Sequence, residues 1–131
     1  PLGDSLLLVT SQRLVRKVCG DCGAADKPSD DLLAWGRETA AAGGLEWQSV
    51  GRKFRKGAGC AKCSMTGFRG RSLVIESMKV NGEIASAIKA GDPGKARSLA
   101  VKRGMRTVEA DAVRQAGEGI TSLEQARRVM D

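Results

Sequence analysis

The sequence predicts an α+β fold, mostly helical, and three observations carry that prediction. The only four cysteines of the 131 residues stand in two pairs, Cys19-Gly-Asp-Cys22 and Cys60-Ala-Lys-Cys63. Arg71–Val80 holds the short run Leu73-Val74-Ile75, and Val74, Met78 and Val80 then alternate with polar residues, the period of a strand. From Asn81 onward the chain is a series of short amphipathic patterns, all but the last stopped by glycine. The expected architecture is a β-hairpin with helices, stapled at the cysteines, followed by a C-terminal helical bundle. Its expected segments are an N-terminal helix over 1–18, a tetracysteine lobe over 19–80 and the bundle over 81–131.

Two CxxC knuckles offer four thiolates, the ligand set of a closed tetrahedral zinc site. Cys19, Cys22, Cys60 and Cys63 are therefore the candidate ligands of a structural Zn²⁺. Gly20, Gly23 and Gly59 flank the knuckles, where tight turns often need unusual φ. Two disulfides would use four cysteines equally well, but no secretory signal peptide is visible. A thioredoxin-like redox pair leaves the second CxxC unexplained. A catalytic zinc is disfavoured, because the chain has no histidine and four thiolates leave no open position for water.

Composition narrows the partners. Aromatic residues are Trp35, Trp47, Phe54 and Phe68 alone, and glycine is abundant, so the core is expected to be thin and aliphatic. A bound metal helps such a fold, because ligand binding energy becomes folding energy. The formal charge of +7 fits an acidic protein, anionic headgroups or nucleic acid. Nucleic acid is the weakest of these, since stacking aromatics are nearly absent. No apolar run approaches the roughly 20 residues that span a bilayer. Pro1-Leu2-Gly3 looks like the scar of a cleaved tag, which implies a piece of a longer protein.

The elements follow in order. Asp4–Val18 reads as a helix with Leu7, Leu14, Val15 and Val18 on one face and Gln12, Arg13, Arg16 and Lys17 on another. A second helix spans Asp30–Ala42, capped by Ser29, Asp30 or Asp31 and stopped by Gly43-Gly44. Leu45 to about Lys56 reads as extended and is expected to pair with Arg71–Val80, with Cys60–Cys63 near the turn. Asn81 caps Glu83–Lys89, with Ile84 and Ile88 one turn apart. Asp92-Pro93 starts the next helix, which ends at Gly104. Thr107–Gly117 follows, with Val108, Ala112, Val113 and Ala116 on one side. Thr121-Ser-Leu-Glu124 matches a capping box for a last helix that turns Leu123, Ala126 and Met130 inward.

Four strings, in order, carry a resemblance: Leu8-Val-Thr-Ser-Gln-Arg-Leu-Val-Arg-Lys-Val-Cys19; Gly59-Cys-Ala-Lys-Cys-Ser-Met-Thr-Gly-Phe-Arg-Gly-Arg71; Gly104-Met-Arg-Thr-Val-Glu-Ala-Asp111; and Glu118-Gly-Ile-Thr-Ser-Leu-Glu-Gln125. The chain resembles the C-terminal, tetracysteine part of the bacterial type II secretion and type IV pilus assembly ATPases, from about Leu8 to Val129. The resemblance implies a parent that is a cytoplasmic hexameric ring ATPase with a RecA-like core, peripheral at the inner membrane through its partners. Those partners would be the inner-membrane platform protein and neighbouring ATPase subunits. Cys19, Cys22, Cys60 and Cys63 match the family's metal ligands. The segment between the knuckles is longer and richer in Ala and Gly than the family's usual one.

The departure is the phosphate loop. GxxxxGK[ST] is absent. Gly94-Lys95 comes nearest, but Ala96 replaces the Ser/Thr that holds Mg²⁺ and Lys89 stands where the first Gly belongs. This chain is then no enzyme by itself, ATP and Mg²⁺ belong to a core outside it, and the isolated piece is expected to be a monomer. Arg69 and Arg71, beside the second knuckle, are the first candidates for partner contact; the competing reading is solvated charge around a dianionic metal–thiolate centre. Arg13 and Arg16, on one side of the expected helix, are the second. The functional reading is a structural zinc and protein-interaction domain that couples the motor to the platform. A nucleic-acid-binding zinc ribbon is the alternative.

Overall fold

The computed structural model describes residues 8–130. In chain order it holds β1 (Leu8–Val18), β2 (Gly23–Ala25), α1 (Asp30–Ala42), a 3-10 turn at Trp47–Ser49, β3 (Arg55–Gly57), a second 3-10 turn at Ala61–Cys63, β4 (Phe68–Lys79), α2 (Gly82–Lys89), α3 (Pro93–Lys102), α4 (Val108–Gly117) and α5 (Leu123–Met130). β1 pairs antiparallel with β4, and β2 with β3. The fold is α+β and mostly helical.

The first segment is a strand where the sequence pattern predicts a helix; the expected start of that helix, Asp4 to Leu7, lies outside the described residues. Leu14 faces Leu73 and Arg16 faces Arg71, but the register shifts before Val18 reaches Phe68. In a regular strand residues three apart point to opposite sides. The extra residue here is on β4, which takes three steps from Arg71 to Phe68 while β1 takes two from Arg16 to Val18; regular pairing ends at this bulge, and both Val15 and Val18 are buried, 0 % and 7 % exposed. A helix would produce the same i, i+3 spacing, which is why the pattern misleads.

The expected pairing of Leu45–Lys56 with Arg71–Val80 is also replaced. β1 occupies β4, and Leu45–Lys56 contributes only the first 3-10 turn and the start of β3, which pairs with β2. Leu45, Val50 and Phe54 are the buried residues here, four or five apart. That spacing lacks the period of two that a long half-buried strand needs.

The helices start and stop as their cap residues dictate. The Ser29 hydroxyl accepts from Leu32 N at 3.2 Å, Asn81 Oδ1 from Ile84 N at 2.9 Å, Asp92 Oδ1 from Lys95 N at 3.1 Å, and Thr107 Oγ1 from Ala110 N at 3.1 Å. Gly94-Lys95 is thus an ordinary helix start. The last cap is Ser122, whose hydroxyl accepts from Gln125 N at 3.0 Å, in place of the expected Thr121. The Thr121 hydroxyl instead donates to the Arg16 carbonyl at 2.6 Å and ties the end of β1 to the start of α5.

Two apolar clusters hold the chain. The larger gathers Val15 and Val74 from the long strand pair, Ala40 from α1, Phe54, and Val108, Val113 and Leu123 from α4 and α5. The smaller gathers Ile84 and Ala87 from α2, Ala96 and Ala100 from α3, and Met105. α1, from the segment between the knuckles, packs on α4 and α5. α4 also guards the open edge of β4: Asp111 Oδ2 accepts from Ile75 N at 3.0 Å, and Gln115 Nε2 donates to the Leu73 carbonyl at 2.8 Å. Two side chains one turn apart stand in for a missing neighbouring strand.

Candidate metal centre

Cys19 follows the end of β1, Cys22 leads into β2, and Cys60 and Cys63 bracket the second 3-10 turn. The fold brings all four sulfurs within 4.8 Å of one another. Cys19 Sγ lies 3.8 Å from Cys60 Sγ, Cys22 Sγ 3.8 Å from Cys63 Sγ, and Cys60 Sγ 3.7 Å from Cys63 Sγ. A tetrahedron with metal–sulfur bonds of about 2.3 Å has edges of about 3.8 Å, so the quartet has the dimensions of a closed tetrathiolate site. Disulfide sulfurs would lie about 2.05 Å apart, and all four cysteines are free thiols.

Backbone N–H groups point at the sulfurs, as anionic ligands require. Gly59 N donates to Cys22 Sγ at 3.3 Å, and Cys60 N and Gly67 N both donate to Cys63 Sγ at 3.2 Å. Burial pushes the Cys63 thiol up, but the N–H groups of Cys60 and Gly67 outweigh it and bring the group down to about 6. The N–H groups of Cys22 and Asp21 hold Cys19 below the ordinary thiol range. Cys22, where burial dominates, is pushed up to about 11. Such a set favours a cation, which removes the protons outright.

The loop carrying the second knuckle is tightly wound. Ser64 and Met65 both have positive φ, 55° and 65°, outside the usual range for side-chain-bearing residues. Met65 N donates to the Cys60 carbonyl at 2.8 Å and the Thr66 hydroxyl to the Cys63 carbonyl at 2.7 Å, which hold that conformation. Of the three flanking glycines singled out in the sequence, only Gly59 has positive φ, 102°. Gly23 is needed for space, since a Cβ there would sit 2.5 Å from the Cys19 carbonyl oxygen.

The four arginines divide. Arg13 donates to the Val129 carbonyl at 2.8 Å, and Arg16 to Gln125 Oε1 at 3.1 Å, so both reach α5. Arg16 also lies 4.1 Å over the Phe68 ring. A helix would place the two on a common side; on the strand they instead bind α5 at two places. Arg69 reaches Asp21 of the first knuckle at 3.5 Å, and Lys62 of the second knuckle reaches the same carboxylate at 3.4 Å. These exposed pairs contribute little energy but neutralise part of the charge beside the sulfurs. Arg71 is exposed and faces Arg16 across the strands.

Sequence reasoning missed the residues that anchor the first knuckle. Val18 N donates to the Ile120 carbonyl at 2.9 Å and Cys19 N to the Gly67 carbonyl at 3.0 Å. The available signal was Gly119-Ile-Thr121: Gly119 has φ of 81°, a turn that presents the Ile120 carbonyl and the Thr121 hydroxyl to β1.

A family described as "Type II/IV secretion system protein" matches residues 1–128. The chain is 37 % identical over 122 residues to the type IV pilus assembly ATPase PilB of Thermus thermophilus, covering 92 % of this chain and 13 % of that protein. It is 31 % identical over 128 residues to type II secretion system protein E of Pectobacterium carotovorum, and 32 % identical over 129 residues to that of Aeromonas hydrophila, in each case covering 98 % of this chain and 24 % of the relative. The chain belongs to the type II/IV secretion system protein family. It spans a quarter or less of the length of these relatives. No helix among the described residues is long and apolar enough to cross a membrane.

Proposed function

We propose that this chain is the zinc-holding, non-catalytic lobe of an ATPase of type II secretion or type IV pilus assembly. The observation that carries the reading is the sulfur quartet, with Cys19, Cys22, Cys60 and Cys63 at tetrahedral separations and backbone N–H groups aimed at them. Zinc bound there supplies rigidity, joining the end of β1 to the loop before β4 without a large core. The absence of a phosphate-loop sequence supports a structural role for this part. The parent would be a cytoplasmic ring of six subunits, with ATP and Mg²⁺ on a RecA-like core outside this chain. It would lie at the inner membrane through its platform protein.

The stiff lobe would pass motor movement to that platform protein or to the next subunit. Arg69 and Arg71 are the outward-facing candidates for the contact, since Arg13 and Arg16 are engaged with α5. Elemental analysis and native mass spectrometry of protein purified without chelator should find one zinc per chain. Cys60→Ser should lose the metal and lower the melting temperature, given structural zinc energies of about 10–16 kcal/mol against domain stabilities of about 5–15 kcal/mol. Full zinc stoichiometry with an unchanged melting curve in that variant would overturn the closed site. Reversing Arg69 and Arg71 to Glu should weaken capture of the platform protein while zinc is retained; unaltered capture would remove the assignment of those two.

A further inference from the structure

On the lobe that carries the sulfurs, a cleft of about 420 Å³ opens between α1 and the segment Trp47–Phe54. Its floor is apolar: Leu33, Trp47 and Phe54, all packed on the main core. Its rim is basic. Arg52 lies 4.2 Å over the Trp47 ring and donates to the Val50 and Trp47 carbonyls, the latter at 3.1 Å. It is thereby fixed in place, and among the described residues its hydrogen-bond partners are carbonyls and no carboxylate. Arg37 approaches the same ring at 5.9 Å. Among the described residues neither Arg37 nor Lys27 has a carboxylate partner, and Asp26 is the one acid lining the cleft.

We propose that this cleft is a docking site for an acidic peptide segment with an apolar anchor. The anchor seats on Leu33, Trp47 and Phe54, and flanking carboxylates meet Lys27, Arg37 and Arg52. Three cations against one carboxylate leave the rim under-neutralised, and a partner of opposite sign would complete it. Aromatic floors with arginine at the edge are the anatomy of energetic anchor points in protein interfaces. Nucleic acid fits less well, because a guanidinium already covers the Trp47 face on which a base would stack. The cleft is built onto the sulfur cluster: Cys22 leads into β2, β2 pairs with β3, and Asp26 N donates to the Phe54 carbonyl at 2.9 Å. The inference names the partner chemistry of the lobe proposed above and rests on its being an interaction domain.

The test uses the whole chain, with zinc content and melting measured on every sample. The probe is a fluorescein-labelled peptide, Ser-Asp-Glu-Phe-Glu-Asp-Ser, against its counterpart with Asn and Gln in place of the acids, followed by anisotropy at low and moderate salt. The acidic peptide should bind at least about tenfold tighter than the amide peptide, and the preference should shrink with salt. Lys27→Glu with Arg37→Glu, both exposed positions, should remove that preference with zinc and melting unchanged. Replacing the peptide's Phe by Ser should also weaken binding. Equal binding of the acidic and amide peptides, unaltered binding by the charge-reversed variant, or tighter binding of oligothymidine than of the acidic peptide would each overturn the proposal. Selective binding by protein that was purified without chelator and carries no zinc would sink the metal reading and leave the docking site standing; zinc-loaded protein without selectivity would do the reverse.

Discussion

At Gly67 two backbones meet. Its φ is 82°, and a Cβ there would lie 2.4 Å from the Gly57 carbonyl oxygen. Its N–H reaches Cys63 Sγ and its carbonyl takes the N–H of Cys19, so both knuckles lean on one residue. Gly67→Ala should therefore cost at least about 2 kcal/mol, combining left-handed strain with a backbone clash. With zinc on the proposed site, it should also speed metal loss to a competing chelator. Gly94→Ala makes the contrast. Its φ is ordinary and its nearest neighbour, Asp92 Oδ1, is 3.7 Å away, so thermal melts should find α3 unchanged or stabilised by up to about 1 kcal/mol. The sulfur quartet was legible in the sequence because cysteine spacing is local and chemically specific. Gly67 was not, because its constraint comes from Gly57, on a different segment.

Among the elements, α4 does for β4 what another strand would do. Asp111 is buried, accepts the Ile75 N–H and holds Arg114 Nε at 2.9 Å. Asp111→Ala should cost about 1–3 kcal/mol in urea unfolding, since it leaves a strand N–H unpaired and leaves Arg114 with Glu118 alone; Asp111→Asn, which keeps an acceptor, should cost less. An equal cost for the two variants would argue against the edge-guarding role. The helices were legible because caps and glycine stops are local signals: Ser29, Asn81, Asp92 and Thr107 all accept the hydrogen bonds their types imply. β1 was hidden because Val15 and Val18, three apart at the register shift, are both buried, and its exposed Leu8 and Leu14, opposite Lys79 and Leu73, blurred the inside–outside alternation further. Thr121 mimicked a cap because its neighbour Ser122 is one, and the tertiary demand of β1 decided between them.

Across the whole molecule, the division into two apolar clusters sets a pattern of local stability. The cluster around Ile84 and Ala96 joins the rest chiefly along β4 and through Arg97, which donates to Glu76 at 2.8 Å and also pairs with Glu109. Native-state hydrogen exchange should find α2 and α3 opening more readily than α4. With zinc on the proposed site, chelation should raise exchange at Val18, Cys19 and the β2–β3 pair, which lie on the hydrogen-bonded path from the sulfurs, and leave α2 and α3 unaltered. Uniform protection across both clusters, or a uniform response to the chelator, would contradict this division. The pairing of distant elements was the least legible level, because neither the strand partner of β1 nor the seat of α1 is written in any local pattern.

The bond from Thr121 to the Arg16 carbonyl joins residues 105 apart. On a ribosome the first strand would wait for β4 before it could pair, and its last residues would wait longer still, for Ile120 and Thr121. The second pair of sulfurs likewise arrives long after the first. Folding that depends on such late partners is slow and leaves sticky β-structure open to other molecules in the interval. If the quartet takes up the zinc proposed above, an early thiolate pair holding the ion would shorten that exposed period, and metal supply during synthesis would then change yield as well as final stability.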